Sequence, residues 1–240
     1  MPKITVVFPY FENPGMLVEQ FNVFNAYPLD VRQNLEMIVV DDCSPLGQRA
    51  EEAIEKYKLK HDGWDFQLFR ILSKVKWNWL ECRNIGAEMA MHDWLVLTDI
   101  DHVIPKLSIE QLVRNDYDAR SFHIFPRINY HDGSNYKPHP NSYFMTKKLY
   151  WRVGGYDESF AGHYGTDGMW RRRCDEVASC VMLGNCPIAR VDRSFIADAS
   201  TTSLARKEGR DPKALDEIRE YKEANRIGLQ RFRQPWKKII

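Results

Sequence analysis

Two aspartates, Asp99 and Asp101, stand one residue apart at the end of the apolar run Trp94-Leu95-Val96-Leu97-Thr98. A short apolar run bounded by polar residues reads as a buried strand, which puts both carboxylates at its carboxyl end. In open α/β sheets that edge is where ligands bind. Carboxylates this close repel each other unless positive charge lies between them, and a divalent cation is the economical partner. Mg²⁺ or Mn²⁺ suits oxygen ligands and binds substrate phosphates beside one or two carboxylates. The pair could therefore carry a metal-bound diphosphate, the metal acting as a Lewis acid on a leaving phosphate. His102, next in the chain, is a further candidate ligand. Asp41-Asp42 close another apolar run, Leu35–Val40, and in a parallel sheet they share the edge with Asp99. Capping of the following helix is the other reading for an aspartate there. A third acidic position, Asp167, lies inside Gly165-Thr166-Asp167-Gly168.

These residues need a sheet with its carboxyl edge open. Residues 3–9 are β-branched and apolar and read as a first strand. Asn13-Pro14 offers a helix start, with Met16, Leu17, Phe21 and Phe24 at helical spacing. Leu35–Val40, a charged helix over 46–60, a strand Phe66–Leu72, a helix Glu81–Met91 and the strand Trp94–Leu97 follow. Strands alternating with helices predict an α/β fold with a mostly parallel sheet. After Pro105 the pattern becomes irregular. Ser108–Arg114 reads as a short helix, Ala119–Tyr130 as one strand with Pro126 at an edge or bulge, and Ser142–Thr146 as another strand. Met169–Ser179 reads as a helix, Pro187–Val191 as a strand, and Asp211-Pro212 opens a charged helix to Arg226. The expected organisation is one domain over 1–205, halves 1–105 and 106–205, then a basic helical tail over 206–240. That tail holds 11 Lys+Arg against 6 Asp+Glu.

The chain has 240 residues, 44% hydrophobic and 28% charged, with a formal net charge of +1. Such a composition supports a sizeable core and offers no global electrostatic case for nucleic acid or membrane. No apolar stretch approaches the ~20 residues of a spanning helix. The five cysteines form no CxxC pair and read as reduced thiols of a cytoplasmic protein.

Five segments occur in order: Phe8-Pro9-Tyr10-Phe11-Glu12-Asn13, Val39-Val40-Asp41-Asp42-Cys43-Ser44, Cys82-Arg83-Asn84-Ile85-Gly86-Ala87, Thr98-Asp99-Ile100-Asp101 and Val153-Gly154-Gly155-Tyr156-Asp157-Glu158. Together they resemble the nucleotide-sugar glycosyltransferases of the GT-A fold, family 2 in particular, over residues 4–175. The run from Gly154 through Gly162-His163-Tyr164-Gly165-Thr166-Asp167 is similar to a segment of galactosyltransferase-type and polypeptide N-acetylgalactosaminyltransferase-type enzymes. The resemblance implies a GT-A architecture, a Rossmann-like nucleotide half with an irregular acceptor half, and a metal-dependent, inverting hexosyl transfer from a nucleotide-sugar, a UDP-sugar first. It implies Asp167 as catalytic base, Asp101 as ligand to Mn²⁺ or Mg²⁺, and Asp99 at the ribose, donor sugar or metal. It also implies Asp41 or Asp42 at the nucleobase, with Pro9, Tyr10, Glu12 and Arg83 lining the nucleotide pocket. In-line displacement at an anomeric carbon needs one carboxylate to take the acceptor proton, and the transition state is expected to be oxocarbenium-like.

Three departures stand out. Cys43 replaces the glycine usual after Asp42, Thr166 stands where many relatives carry Glu, and no histidine follows His163. Asp192, Asp198, His102 or water are the substitutes for a late histidine ligand. His131, His139 and His163 read as solvent-facing or acceptor-lining loop residues. Trp151 or Trp170 is a candidate sugar floor, and Arg171-Arg172-Arg173 reads as a solvated helix face, with contact to phosphate as its alternative since it closely follows Asp167.

Competing readings are a haloacid-dehalogenase-like phosphatase, whose first motif the Asp99-Asp101 stretch resembles, and a non-catalytic sugar- or nucleic-acid-binding module on a degenerate GT-A fold. A dehydrogenase is disfavoured because no GxGxxG follows the first strand. The acceptor stays open among saccharide, lipid, protein and a hydroxylated DNA base. The basic tail suits an anionic acceptor or surface, with simple solvation as its plainer explanation.

Overall fold

The computed structural model describes residues 2–163, 165–200 and 211–240. Its first half is built of three strand–helix units. Strand β1 (Ile4–Tyr10) leads to α1 (Pro14–Ala26) and a short α2 (Leu29–Arg32). Strand β2 (Leu35–Asp41) is followed by α3 (Ala50–Tyr57), and β3 (Asp65–Ile71) by α4 (Trp79–Met89). Strand β4 (Trp94–Leu97) closes this half. Strands β1, β2, β3 and β4 all run parallel, with β1 between β2 and β4. Parallel strands covered on both faces should be apolar on both. Accordingly, Ile4, Val6, Phe8 and Tyr10 pack into the core layer holding α1, while Val7 enters the layer holding α4.

The second half contributes β5 (His102–Val103), α5 (Lys106–Arg114), β6 (Phe122–Ile124), β7 (Arg127–Asn129), β8 (Asn135–Tyr136) and β9 (Tyr143–Thr146). Next come α6 (Lys147–Val153), a 3₁₀ turn at Glu158–Phe160, α7 (Asp167–Val177), β10 (Cys180–Met182), β11 (Ile188–Arg190), α8 (Pro212–Ala224) and β12 (Trp236–Lys238). The main sheet has eight strands in the order β10-β6-β9-β4-β1-β2-β3-β12, and a second sheet runs β5-β11-β7-β8.

Two expectations change here. The strand expected over Ala119–Tyr130 is two strands in different sheets, divided at Phe125-Pro126. Pro126 has no N–H for a ladder, and its carbonyl accepts from Ile188 N at 3.0 Å, which starts the second sheet. The segment expected as a helical tail is only partly helical. After α8 the chain returns as β12, antiparallel to β3, with the Trp236 and Phe69 rings 5.7 Å apart. Strand β3 would otherwise be an open edge. Residues 206–210 of that expected tail lie outside the described residues.

One glycine is set by close approach. A Cβ on Gly86 in α4 would lie 2.2 Å from Val7 Cγ1 in β1, so this helix sits on the central strand only without a side chain there.

Candidate active site

The parallel strands deliver their ends to one edge. Tyr10, Asp41 and Arg70 stand in one row across β1, β2 and β3. The Asp41 side chain is spent internally: Oδ1 accepts from Ser44 N at 2.7 Å and Oδ2 from Ala50 N at 3.0 Å, with Arg70 Nη2 at 3.8 Å. It is the helix-capping reading that its geometry matches. Asp42 differs. Its Oδ2 accepts from Asn78 N at 2.8 Å, while Oδ1 is buried without a hydrogen-bond partner. Burial pushes this carboxyl up to about 8, against the opposing pull of the Asn78 N–H. Cys43 holds a left-handed backbone, φ 54°, so the turn keeps the conformation a glycine would adopt despite the changed residue.

Tyr10 is fully buried and donates to Gln48 O at 2.7 Å. It therefore supports the edge from beneath rather than lining an open pocket. Pro9 and Glu12 are half-buried at the edge, and Glu12 N donates to Ser44 Oγ at 3.2 Å.

Beyond β4, Asp99 lies between Arg83 and His139. Arg83 Nη2 donates to Asp99 Oδ1 at 2.8 Å, and His139 Nε2 is 3.3 Å from Oδ2. Arg83, itself fully buried, also donates to Asn141 O at 2.7 Å and bonds Tyr156 Oη at 3.0 Å. His139 Nδ1 is 2.8 Å from Ser142 Oγ, which is 2.7 Å from Thr98 Oγ1. Burial alone would raise Asp99, but the His139 hydrogen bond and the Arg83 charge outweigh it and hold the carboxyl below the usual range. Burial likewise opposes ionisation of Asp101, and the adjacent His102 reverses the balance. His139 is pushed down to about 4 by burial and by His102, whose ring lies 4.2 Å away.

His102 does not stand where a metal ligand would. Its Nδ1 is 2.7 Å from Asp101 Oδ1 and its Nε2 is 3.2 Å from Arg127 Nη1. A guanidinium only donates, so Nε2 accepts and Nδ1–H donates to Asp101. Both nitrogens are thus engaged, and the ring orients Asp101 from behind, a supporting role common around ligating carboxylates. The substitutes considered for a late histidine are engaged as well. Asp198 accepts from Gly15 N and, at 3.0 Å, from Met16 N at the start of α1. Asp192 pairs with Arg190 at 2.8 Å and accepts from Ser194 N at 3.1 Å. Among the described residues no three His, Cys, Asp or Glu side chains are placed to hold a metal together. Two carboxylates do fit a cation that brings its own phosphates and waters, and the Asp99 side chain is 40% exposed against 14% for Asp101.

The glycine-rich segment hangs on Asn84. Its Oδ1 accepts from Tyr150 Oη at 2.5 Å and Tyr156 N at 2.8 Å, and its Nδ2 donates to Tyr156 O at 2.9 Å and Glu158 Oε1 at 2.6 Å. Gly155 runs at φ 68°, and a Cβ there would lie 2.8 Å from Asn84 Oδ1. Asp167 opens α7 after this segment and is half-buried. Tyr164 of the same segment lies outside the described residues.

Trp170, a candidate sugar floor, is instead core: it is buried and stacked on Tyr156 at 4.4 Å. Of the arginine triplet only Arg172 is exposed, since Arg173 donates to Gly155 O at 2.6 Å and Arg171 pairs with Asp175 at 3.0 Å. Sequence reasoning missed His139 at Asp99, Arg127 behind His102, and Asn78 and Asn84 as anchors. Only Asn84 carried a signal, its place beside Arg83 in a recognised segment.

The family model for glycosyl transferase family 2 matches residues 5–173. A comparison with curated protein sequences finds no match. Among solved structures, S. aureus TarS (residues 1–349) in complex with UDP-GlcNAc is similar with a TM-score of 0.64 at 14% identity, over 83% of this chain and 61% of that one. The Pyrobaculum calidifontis mannosyltransferase PcManGT, in complex with GDP-Man and Mn²⁺, gives 0.58 at 16%, over 95% and 65%. GalNAc-T7 with UDP, GalNAc and Mn²⁺ gives 0.61 at 12%, over 80% and 44%. The chain thus spans about three fifths of the TarS chain it resembles. The matched residues take in β1 through most of α7, and the parallel sheet with carboxylates at its carboxyl edge has the GT-A architecture: the chain belongs to glycosyl transferase family 2.

Proposed function

We propose that this chain transfers a sugar from a nucleotide diphosphate to an acceptor hydroxyl with inversion at the anomeric carbon. The observation that carries the reading is the shared edge. Asp42, with a buried unpartnered oxygen, follows β2, and Asp99 and Asp101, both held below the usual carboxylate range, follow β4; these two parallel strands flank β1 and end at the same edge. In this reading Asp42 meets the nucleobase, while Asp41 shapes the turn that presents it. Arg83 fixes Asp99 against ribose or donor sugar, and His102 with Arg127 fixes Asp101. Asp101 and Asp99 would hold Mn²⁺ or Mg²⁺ together with the diphosphate. A bound cation supplies charge neutralisation at the leaving phosphate. Asp167 accepts the proton of the acceptor hydroxyl as that oxygen attacks.

Residues 1–105 then form the donor half and 106–205 the acceptor half. UDP-sugar is the favoured donor, in keeping with the UDP-GlcNAc of TarS and the UDP of GalNAc-T7; PcManGT carries GDP-Man. The acceptor is a hydroxyl of a saccharide, lipid, protein or hydroxylated DNA base. No helix among the described residues is long and apolar enough to cross a membrane.

A thermal-shift series with UDP, GDP and their sugars, with and without Mn²⁺, tests the reading, because a ligand of the folded state raises the melting temperature. Metal-dependent stabilisation by UDP, and UDP-sugar hydrolysis that stops in Asp101→Ala, are expected. If no nucleotide diphosphate moves the transition, the donor site is wrong.

A further inference from the structure

Helix α4 carries a cap that does not close. Its N-cap is Asn78, and Glu81 occupies the third helical position. That is the pattern of a capping box, in which the glutamate side chain accepts from the N-cap N–H. Helix α3 closes such a box: Glu52 Oε2 accepts from Arg49 N at 2.9 Å. In α4 the Asn78 N–H goes instead to Asp42 Oδ2 at 2.8 Å, and the Asn78 side chain makes no cap bond. Both helices place a glutamate at the same position, so the difference is set from outside α4.

The segment between α8 and β12 sets it. Glu81 is fully buried and both its oxygens are taken: Oε2 accepts from Asn78 Nδ2 at 2.6 Å and Oε1 from Gln234 N at 2.7 Å. Gln234 lies 153 residues further along the chain. The segment is fixed on either side of this bond. Arg233 N donates to Glu158 Oε2 at 2.8 Å, and Leu72 N donates to Pro235 O at 2.8 Å, just before β12 pairs with β3. Covering the β3 edge needs β12 alone, yet two consecutive amides ahead of it serve two buried glutamates. Burial pushes Glu81 up to about 7, with the Asn78 and Gln234 hydrogen bonds pulling the other way. A buried oxygen without a donor is costly. If the Gln234 N–H is removed, the freed Glu81 oxygen has the Asn78 N–H within reach, in the ordinary geometry of the box. Closing the box withdraws that N–H from Asp42.

We propose that the strap of residues 229–235 holds Glu81 out of the capping box and so reserves the Asn78 N–H for Asp42. Gln234 and Glu81 are then positioning residues for the carboxylate that meets the nucleobase. The inference rests on the glycosyl-transfer reading, and wild type serves as the control that separates the two. Proline has no N–H, so Gln234→Pro removes the strap bond and leaves the side chains of the donor edge unchanged. Isothermal titration with UDP and GDP in the presence of Mn²⁺ provides the test. Gln234→Pro should weaken the nucleotide that wild type binds by about tenfold. Gln234→Pro/Glu81→Met also removes the competitor for the Asn78 N–H and should restore affinity to within about threefold of wild type. A merely structural role predicts the reverse, a double variant weaker than the single one. Unchanged far-ultraviolet circular dichroism confirms that each variant is folded. If Gln234→Pro fails to fold, Glu81→Gln decides: its amide has one acceptor oxygen for two donors, and the same loss of about tenfold is expected. Wild type that binds neither nucleotide defeats the donor-site reading, and this proposal with it. Wild type that binds, with Gln234→Pro or its substitute Glu81→Gln binding equally well, overturns the strap proposal alone, as does a double variant weaker than Gln234→Pro.

Discussion

Asp42→Asn should stabilise the fold and weaken nucleotide binding at once. In the folded chain burial pushes the Asp42 carboxyl from 3.8 up to about 8. A raised folded value means that the group is favourable to folding below its unfolded value of 3.8, and that this contribution is lost as pH rises through about 8. At about 1.4 kcal/mol per factor of ten, the loss above pH 8 is at most about 6 kcal/mol. Relaxation and water entry around a buried charge reduce such penalties to several kcal/mol or less, and about 2 kcal/mol is the expected gain for the neutral amide. The Asn side-chain carbonyl can still accept from Asn78 N, which now bonds Asp42 Oδ2 at 2.8 Å. Urea denaturation of both proteins at about pH 9 and about pH 5 measures the effect. The variant's advantage should shrink toward low pH, where the wild-type carboxyl is neutral in the fold. UDP affinity should fall about tenfold in the variant, through loss of one hydrogen bond to the nucleobase. A variant less stable at about pH 9, or an advantage independent of pH, would refute the claim that Asp42 is held against its own burial for a ligand.

Asp167→Asn should lower kcat by about 10²–10⁴-fold with KM for the donor nearly unchanged, measured by nucleotide release. His102→Ala should weaken Mn²⁺ binding in the presence of UDP by about 10–100-fold, while His102→Asn, whose amide can still donate to Asp101, should retain most of it; equal losses would show that the 2.7 Å contact is unimportant. Gly86→Ala should cost about 1–3 kcal/mol in urea denaturation, because its new methyl collides with Val7. Cys43→Gly should gain about 1 kcal/mol by relieving the left-handed backbone at φ 54°, and no gain would mean that the thiol offsets the strain by packing.

The first half, β1 through β4, was legible because its signals are local. A continuous apolar run such as Met37–Val40 reads as a strand buried on both faces, and the polar residues ending it then lie at the sheet edge. The second half was less so. Nothing local separates Phe122–Ile124 from Arg127–Asn129 except Pro126, and only pairing with different partners shows that they belong to two sheets. Trp236-Lys237-Lys238 reads as a basic tail because its reason to be a strand is the unpaired edge of β3, some 165 residues earlier (236 − 71).

The sequence by itself determined which carboxylates end the parallel strands and in what order they come, because the apolar runs that form those strands are local signals. The tertiary structure alone decided how they divide the work. Asp41 and Asp42 are neighbours of identical type, yet one is spent on Ser44 and Ala50 while the other keeps a buried oxygen free. His102 adjoins Asp101 as a ligand would, yet Arg127, 25 residues away, occupies its second nitrogen. His139, in an unpatterned loop, arrives at Asp99. Hydrogen-bond capacity is finite, and which partner takes it depends on what packs alongside, which spacing along a chain does not specify.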